Sequence, residues 1–358
     1  MTKLFEPLTL RGLTLRNRII MAPMCMYSCE NKDGVVGDWH FTHYGSRAVG
    51  GAGLIIVEAT GVTDIGRITP WCAGMWNDEH VTAWKKVTDE IRRHGAASSV
   101  QLAHAGRKAS THRGWSGVGS VAESDGGWQT VSSTSEPFTG YAAPRELTTA
   151  EVYQVIDEWR NSAALAVHAG FDALEIHAAH GYLIHQFLSP ITNQRTDEFG
   201  GSLENRARLL LEIVKAMREV IPASMPLMIR FSATDYREDG WTVDQTQTVA
   251  AWAADLGVDL FDISSGGLIT GVSIPTGPGY QVPLAASVST AVDEPVAVVG
   301  QITEAQQAEA ILQSGDADVI ALGRALLRDP YWPLRAAAEL GAEVEWPKQY
   351  SRGTWPAK

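Results

Sequence analysis

The chain has 358 residues, 45% hydrophobic and 20% charged, with a formal net charge of −12 at pH 7. That is the balance of a soluble globular protein with a large core, at a length usual for an α/β barrel with insertions. The charge, without clusters of Lys or Arg, excludes a general nucleic-acid binder, and no run approaches the roughly 20 apolar residues that span a bilayer.

Cys25, Cys29 and Cys72 form a sparse, odd set that fits a reducing cytoplasm better than a disulfide scaffold. Cys25 and Cys29 lack the second pair that would complete an iron–sulfur or zinc site. Met1–Arg18 alternates charged and apolar residues and carries no signal-peptide pattern.

In chain order, Phe5–Leu15, turning at Arg11-Gly12, reads as a hairpin that plugs the bottom of the fold. Arg18–Met24 and Leu54–Glu58 read as buried parallel strands. Asn77-Asp78-Glu79 opens a helix that stops near His94-Gly95, and Ser98–Leu102 is the third strand. Thr111–Arg145, rich in Gly, Ser and Trp, is too long for an ordinary connection and reads as an excursion over the active-site end. Thr148-Thr149-Ala150-Glu151 is a capping box opening a helix to Ala169-Gly170, ahead of strand Ala173–His177.

The alternation continues with helix Ser202–Val220, stopped by Pro222, strand Pro226–Phe231, helix Thr242–Leu256, stopped by Gly257, and strand Leu260–Ser264. Strand Val296–Val299, helix Thr303–Gln313, stopped by Gly315, and strand Val319–Leu322 complete it. Eight strands alternating with helices predict an α/β protein, a single (β/α)8 TIM-barrel domain over residues 1–358. A doubly wound sheet is the rival, but neither G-x-G-x-x-G nor a P-loop occurs.

Site residues of such barrels sit at the C-terminal ends of strands. Those ends carry Ala22 to Tyr27, Glu58-Ala59, Gln101 to His104, His177 to Tyr182, Arg230, Gly300-Gln301 and Gly323-Arg324. Glycine at the last two lets backbone N–H groups approach an anion closely, and Arg324 supplies a guanidinium, which together suit a phosphate. The plain alternative is that these glycines make tight turns.

His177 and His180 could bind zinc, but a catalytic zinc wants a third protein ligand, and none is evident. They could instead be paired donors to one carbonyl or nitro oxygen, with Tyr182 as a phenolic proton donor; satisfied core histidines are the plain alternative. Arg230 inside the barrel mouth must pair with an anion or an electron-rich group, a salt bridge being the alternative.

These residues resemble the Old Yellow Enzyme family. The matching segments are Leu4-Phe5-Glu6-Pro7, Arg16-Asn17-Arg18, Ala22-Pro23-Met24-Cys25, His104-Ala105-Gly106-Arg107-Lys108 and His177-Ala178-Ala179-His180-Gly181-Tyr182-Leu183. Gln186-Phe187-Leu188-Ser189-Pro190, Asn193 to Ser202 and Gly323-Arg324 follow, so the likeness covers nearly the whole chain. Cys25, Tyr27 and the ending Gln349-Tyr350-Ser351-Arg352-Gly353 resemble the thermophilic-like, xenobiotic reductase branch.

The resemblance implies an FMN-dependent ene-reductase that takes hydride from NADPH or NADH and reduces activated C=C bonds of small molecules by ping-pong transfer. FMN would be held by Ala22, Pro23, Met24, Cys25, Ala59, Gln101, Arg230, Gly300, Gly323 and Arg324, with Cys25 tuning its potential. His177 and His180 would polarise the substrate oxygen, and Tyr182 would protonate carbon, with Tyr27 as a second phenol. Arg352 would reach into a neighbouring subunit's site and Trp355 would help wall it. The tail 345–358 would then lie at the interface of a cytoplasmic homodimer or homotetramer. Two departures stand out: Thr354-Trp355 follows Arg352-Gly353, and Gln301 stands where some xenobiotic reductases place an aromatic residue. A metal-dependent barrel hydrolase built on His177 and His180 is the alternative function.

Overall fold

The computed structural model describes residues 2–355. The strands in chain order are β1 Leu8–Leu10, β2 Leu13–Leu15, β3 Ile19–Met21, β4 Leu54–Gly61, β5 Ala97–Ala103, β6 Val131–Ser132, β7 Arg145–Glu146, β8 Ala173–Ala178, β9 Leu227–Ser232, β10 Leu260–Ser264, β11 Val296–Val298 and β12 Val319–Leu322. The helices are α1 Asp38–Val49, α2 Asp78–Arg93, α3 Thr149–His168, α4 Leu183–Leu188, α5 Leu203–Arg218, α6 Val243–Asp255, α7 Val282–Ser289, α8 Ala305–Ser314, α9 Arg324–Arg328 and α10 Trp332–Leu340.

Eight strands close into a parallel barrel in the order β10-β11-β12-β3-β4-β5-β8-β9. These are the eight apolar runs read from the sequence, trimmed or extended by a few residues. Alternation along each strand sorts the core into two layers. Ile20, Ala22, Leu54, Ile56, Met228 and Leu260 fill the barrel interior, while Ile19, Met21, Ile55 and Val57 pack outward under the helices.

The hairpin β1–β2 pairs Leu8 with Leu15 and turns at Arg11, whose φ of 47° is left-handed. Its Leu10 and Leu15 join the interior cluster, so the hairpin does plug the barrel.

The expected caps are in place. Asn77 and Ser202 each accept from the backbone N–H three residues on, and Thr148 and Glu151 form the reciprocal capping box. Removing such a cap typically costs about 1 kcal/mol.

The excursion after β5 holds the short pair β6–β7, a bridge from Thr111 to Ser120 and a 3-10 turn at Glu123–Asp125. It folds back over the C-terminal end of the barrel. Trp128 donates from Nε1 to the Ile65 carbonyl at 2.9 Å and packs against the same buried cluster, around Ala59, Ile68 and Cys72, as Tyr27 and Tyr182.

Candidate active site

The loop after β3 carries Ala22 to Tyr27, and a defect in β4 holds it. The β4–β5 register shifts between Val57 and Ala59, leaving Glu58 on a bulge. A bulge re-aims its side chain. The Glu58 carboxylate, fully buried, accepts from Met26 N at 3.0 Å and from the Tyr44 hydroxyl at 3.1 Å, with His40 at 3.3 Å. One buried carboxylate thus ties the loop to α1.

Beside that loop lies a cavity of about 520 Å³, within the usual range for a small-molecule site. Ala22, Pro23, Met24, Arg230, Gly300, Gly323 and Arg324 line it, seven of the ten residues expected to hold FMN. Gly300 has φ +136°, and a Cβ there would meet Tyr280 and Gln281 at 3.1 Å. Among the described residues, the one atom near a Cβ position at Gly323 is Met24 Sδ, at 3.6 Å. The cleft between these turns is open, and the exposed Arg324 guanidinium borders it. Backbone N–H groups, open space and a cation suit a phosphate.

The other three expected residues, Cys25, Ala59 and Gln101, are not part of its lining. Gln101 is buried inside the barrel and donates to Glu175 Oε1 at 2.7 Å. Ala59 shares an apolar cluster with Ile68 and Cys72, against which Cys25, Tyr27 and Tyr182 pack. A hydrogen bond with the Cys72 thiol, together with burial, pushes the Cys25 thiol well up, so Cys25 is a protonated thiol.

His177 is the penultimate residue of β8, and His180 follows in a left-handed turn with φ 58°. That strained backbone is clamped: His180 N donates to Ser232 Oγ at 2.9 Å, and Lys108 Nζ donates to the carbonyls of His180 and Gly267 at 2.8 and 2.9 Å. The clamp brings His177 Nε2 within 3.5 Å of His180 Nδ1. Burial, then Arg230, holds both imidazoles well below their usual range, so both are neutral. Tyr182 stands edge-on to His177 with ring centroids 4.9 Å apart. Burial raises its phenol well above the usual range, so it keeps its proton.

Tyr27, also left-handed with φ 53°, has its phenol raised by Cys25 and by burial. Its ring meets Trp115 of the excursion at 5.9 Å, and its carbonyl accepts from Arg113.

Arg230 sits within β9, not at its end, with Nε 3.0 Å from Asp262 Oδ2. The salt-bridge alternative therefore exists beside the cavity-facing role, since the same guanidinium lines the cavity. Asp262 and the nearby Glu175 are both raised by burial, and each has an oxygen with no aligned hydrogen bond.

Arg352 and Trp355 lie on the exposed end of the chain, where Trp355 stacks edge-on with Trp346 at 5.3 Å. Neither lines this chain's own cavity. Of the tail 345–358, residues 356–358 lie outside the described residues. Among the described residues no group of three His, Cys, Asp or Glu side chains could hold a metal ion, so the hydrolase alternative lacks its third ligand.

Sequence reasoning passed over Ser264, Ser265, Gln281, Glu175 and Asp262. The end of β10 carries only the small hydroxyls of Ser264-Ser265, a pair as usual in turns as in sites.

A closed (β/α)8 barrel with a phosphate-receptive turn, paired neutral imidazoles and a protonated phenol at one mouth defines a barrel oxidoreductase of the flavin type. Residues 3–343 match the NADH:flavin oxidoreductase / NADH oxidase family, and the chain belongs to it. It is similar to an NADPH dehydrogenase of Geobacillus thermodenitrificans, 47% identical over 98% of both chains. Among solved structures it resembles an Old Yellow Enzyme homologue from Zymomonas mobilis, 27% identical with a TM-score of 0.79 over 99% of each chain. Morphinone reductase is 30% identical, with a TM-score of 0.80 over 97% of this chain and 92% of its own. The chain is thus an FMN-dependent NAD(P)H oxidoreductase of the Old Yellow Enzyme family.

Proposed function

We propose that this oxidoreductase is an ene-reductase acting on activated alkenes, α,β-unsaturated carbonyl or nitro compounds. The observation that carries the reading is the convergence of His177 Nε2 and His180 Nδ1, 3.5 Å apart, beside the phenol of Tyr182. Two neutral ring nitrogens meeting at one point suit a single oxygen that gains negative charge during reaction. FMN bound there would supply a two-electron hydride carrier between the nicotinamide and the alkene.

The protein's own groups do the rest. Ala22, Pro23, Met24, Cys25, Ala59 and Gln101 would help hold the cofactor. Gly300, Gly323 and Arg324 would hold its phosphate, and Arg230 would pair with its electron-rich ring. His177 and His180 bind and polarise the substrate oxygen. Tyr182 gives its proton to the α-carbon, and Tyr27 serves as a second active-site phenol that binds the substrate. The Cys25 thiol, a weak donor, adjusts the cofactor's potential. The described residues offer one barrel mouth and no separate dinucleotide-binding sheet, which supports NAD(P)H and alkene using that mouth in turn, with ping-pong kinetics.

Arg352 and Trp355 reach a neighbouring subunit's site in a homodimer or homotetramer. Their exposure at the chain end, away from their own cavity, supports this. Three free cysteines and no disulfide fit a cytoplasmic setting. No helix among the described residues is long and apolar enough to cross a membrane.

The test is an anaerobic absorption spectrum of the FMN-loaded protein, with NADPH and then 2-cyclohexenone added. Bleaching followed by recovery on enone supports the reading. A bleached band that the enone does not restore removes the enone from the substrate class.

A further inference from the structure

We propose that Ser264, at the C-terminal end of β10, is a positioning residue that sets which ring nitrogen of His180 carries the proton, and changes it when a ligand oxygen arrives. The inference rests on reading His177 and His180 as oxygen-binding donors. It concerns a side chain outside that pair.

The His177 tautomer is settled by its own backbone. Its Nδ1 accepts from Ala179 N at 3.3 Å, so the neutral ring bears its hydrogen on Nε2, the nitrogen facing His180. His180 has no such constraint. Its Nδ1 faces His177, and its Nε2 lies 2.8 Å from Ser264 Oγ, a hydroxyl that can donate or accept.

The next shell limits that hydroxyl. Gln281 Nε2 donates to the Val299 carbonyl at 2.6 Å, which turns Gln281 Oε1 toward the two serines. Ser265 receives the Tyr236 hydroxyl at 2.8 Å and donates to Gln281 Oε1 at 2.6 Å. Ser264 Oγ lies 3.3 Å from the same amide oxygen. Ser264 is 5% exposed and, with Gln281, lines the cavity assigned to the cofactor, so bulk water reaches the half-buried His180 ring more readily than this hydroxyl.

Two arrangements follow. In the first, Ser264 donates to Gln281 and accepts from His180 Nε2–H. His180 Nδ1 is then a bare acceptor facing His177 Nε2–H, and the two rings satisfy each other. In the second, Ser264 donates to His180 Nε2, so His180 carries Nδ1–H and two N–H groups face one point with no acceptor. The ligand-free protein satisfies more donors in the first arrangement. A carbonyl or nitro oxygen between the rings supplies the missing acceptor and favours the second. Each arrangement has one N–H on His180 and one O–H on Ser264. The switch therefore takes up no net proton and passes through exchange with water.

The experiment is a long-range 1H–15N correlation on oxidised, FMN-loaded protein with 15N-labelled histidine rings. His180 is assigned by its loss in His180→Ala. Cyclohexanone, which offers a carbonyl without a reducible alkene, is the probe. FMN content is read from the absorption of each sample, so a lost cofactor is not mistaken for a lost tautomer.

The expected result is His180 protonated at Nε2 in the free enzyme and at Nδ1 with saturating cyclohexanone, with His177 protonated at Nε2 throughout. Ser264→Ala should abolish the ligand-driven reversal, and Ser264→Thr, which keeps the hydroxyl, should restore it. A ketone that shifts the His177 signals while His180 keeps one tautomer overturns the role of Ser264 alone, as does a full reversal in Ser264→Ala. A ketone that perturbs neither ring overturns the oxygen-binding reading of the pair itself.

Discussion

Arg230 of β9 and Asp262 of β10 are register partners inside the barrel, with Nε 3.0 Å from Oδ2 and both side chains almost wholly buried. Glu175, one strand further on in β8, is close enough for Asp262 to raise its carboxyl. Two carboxylates beside one guanidinium share their charge most cheaply when one is protonated. Arg230 with ionised Asp262 and protonated Glu175 is electrically neutral.

This arrangement predicts strong coupling between Arg230 and Asp262. Replacing Arg230 by Met strands a buried carboxylate and should cost about 3–5 kcal/mol. The double variant Arg230→Met, Asp262→Asn should recover most of that loss, since neither charge is left alone. Urea unfolding of the wild type, both single variants and the double variant measures the coupling; additive losses would contradict it.

Glu175 sets a pH dependence of definite sign. Its folded pKa is raised above the ordinary 4.5, first by burial and then by Asp262. Between those two values the folded protein binds more protons than the unfolded chain. Its contribution is therefore fully present below about 4.5 and is lost as pH rises through the raised folded value. Glu175→Gln keeps the partner for Gln101 and removes the titration. From pH 5 to 7 the wild type should lose up to about 1.4 kcal/mol per pH unit relative to the Gln variant. His43 and His104, depressed to about 3 and about 4 chiefly by burial, act in the opposite sense below pH 6.5. They are common to both proteins and cancel. Paired thermal melts across this range check the difference.

His177→Ala should keep FMN, because the ring is not part of the cavity lining around the phosphate turn. Loss of one oxygen-polarising donor should lower enone turnover about 10²–10³-fold. Absorption for cofactor content and initial rates for turnover separate the two effects, and wild-type turnover in this variant would refute the donor role.

Tyr182→Phe removes a proton and keeps the ring against His177. Reduction of the bound cofactor by NADPH should proceed as in the wild type, while reoxidation by enone slows about 10²–10⁴-fold. Stopped-flow measurement of each half-reaction distinguishes them. An unaffected second half-reaction would transfer the proton-donor role to Tyr27 or to water.

Arg352→Ala should raise the enone KM without lowering the melting temperature, since the side chain is exposed in the single chain. Mixed with His177→Ala subunits, it should regain activity, because some sites then combine an intact His177 with a partner's Arg352. An unchanged KM would contradict the shared site.

Much of the fold was legible because its signals are local. Apolar runs between turn residues marked all eight barrel strands. Side-chain caps at Asn77, Thr148, Ser202 and Thr242 marked four helix starts. The hairpin announced itself by Arg11-Gly12. The helices that escaped, α1, α4, α7, α9 and α10, are short or sit next to site loops. Their entries have no side-chain cap: Gly37 precedes α1, Tyr182 precedes α4 and Gly323 precedes α9.

The sequence by itself determined the strand–helix alternation, and with it a parallel sheet whose polar strand ends must gather on one side. That is why His177, His180, Tyr182 and the Gly323-Arg324 turn could be named. Only the tertiary structure decided which buried groups meet. Tyr44 finds Glu58 through a bulge, Lys108 finds the carbonyl of His180 across the barrel mouth, and Arg230 finds Asp262 across two strands. Ser264 lies between His180 and Gln281, 84 residues from one and 17 from the other. Such pairings depend on barrel closure and register, which bring distant strands side by side. Periodicity and caps act only over a few residues and carry no record of them.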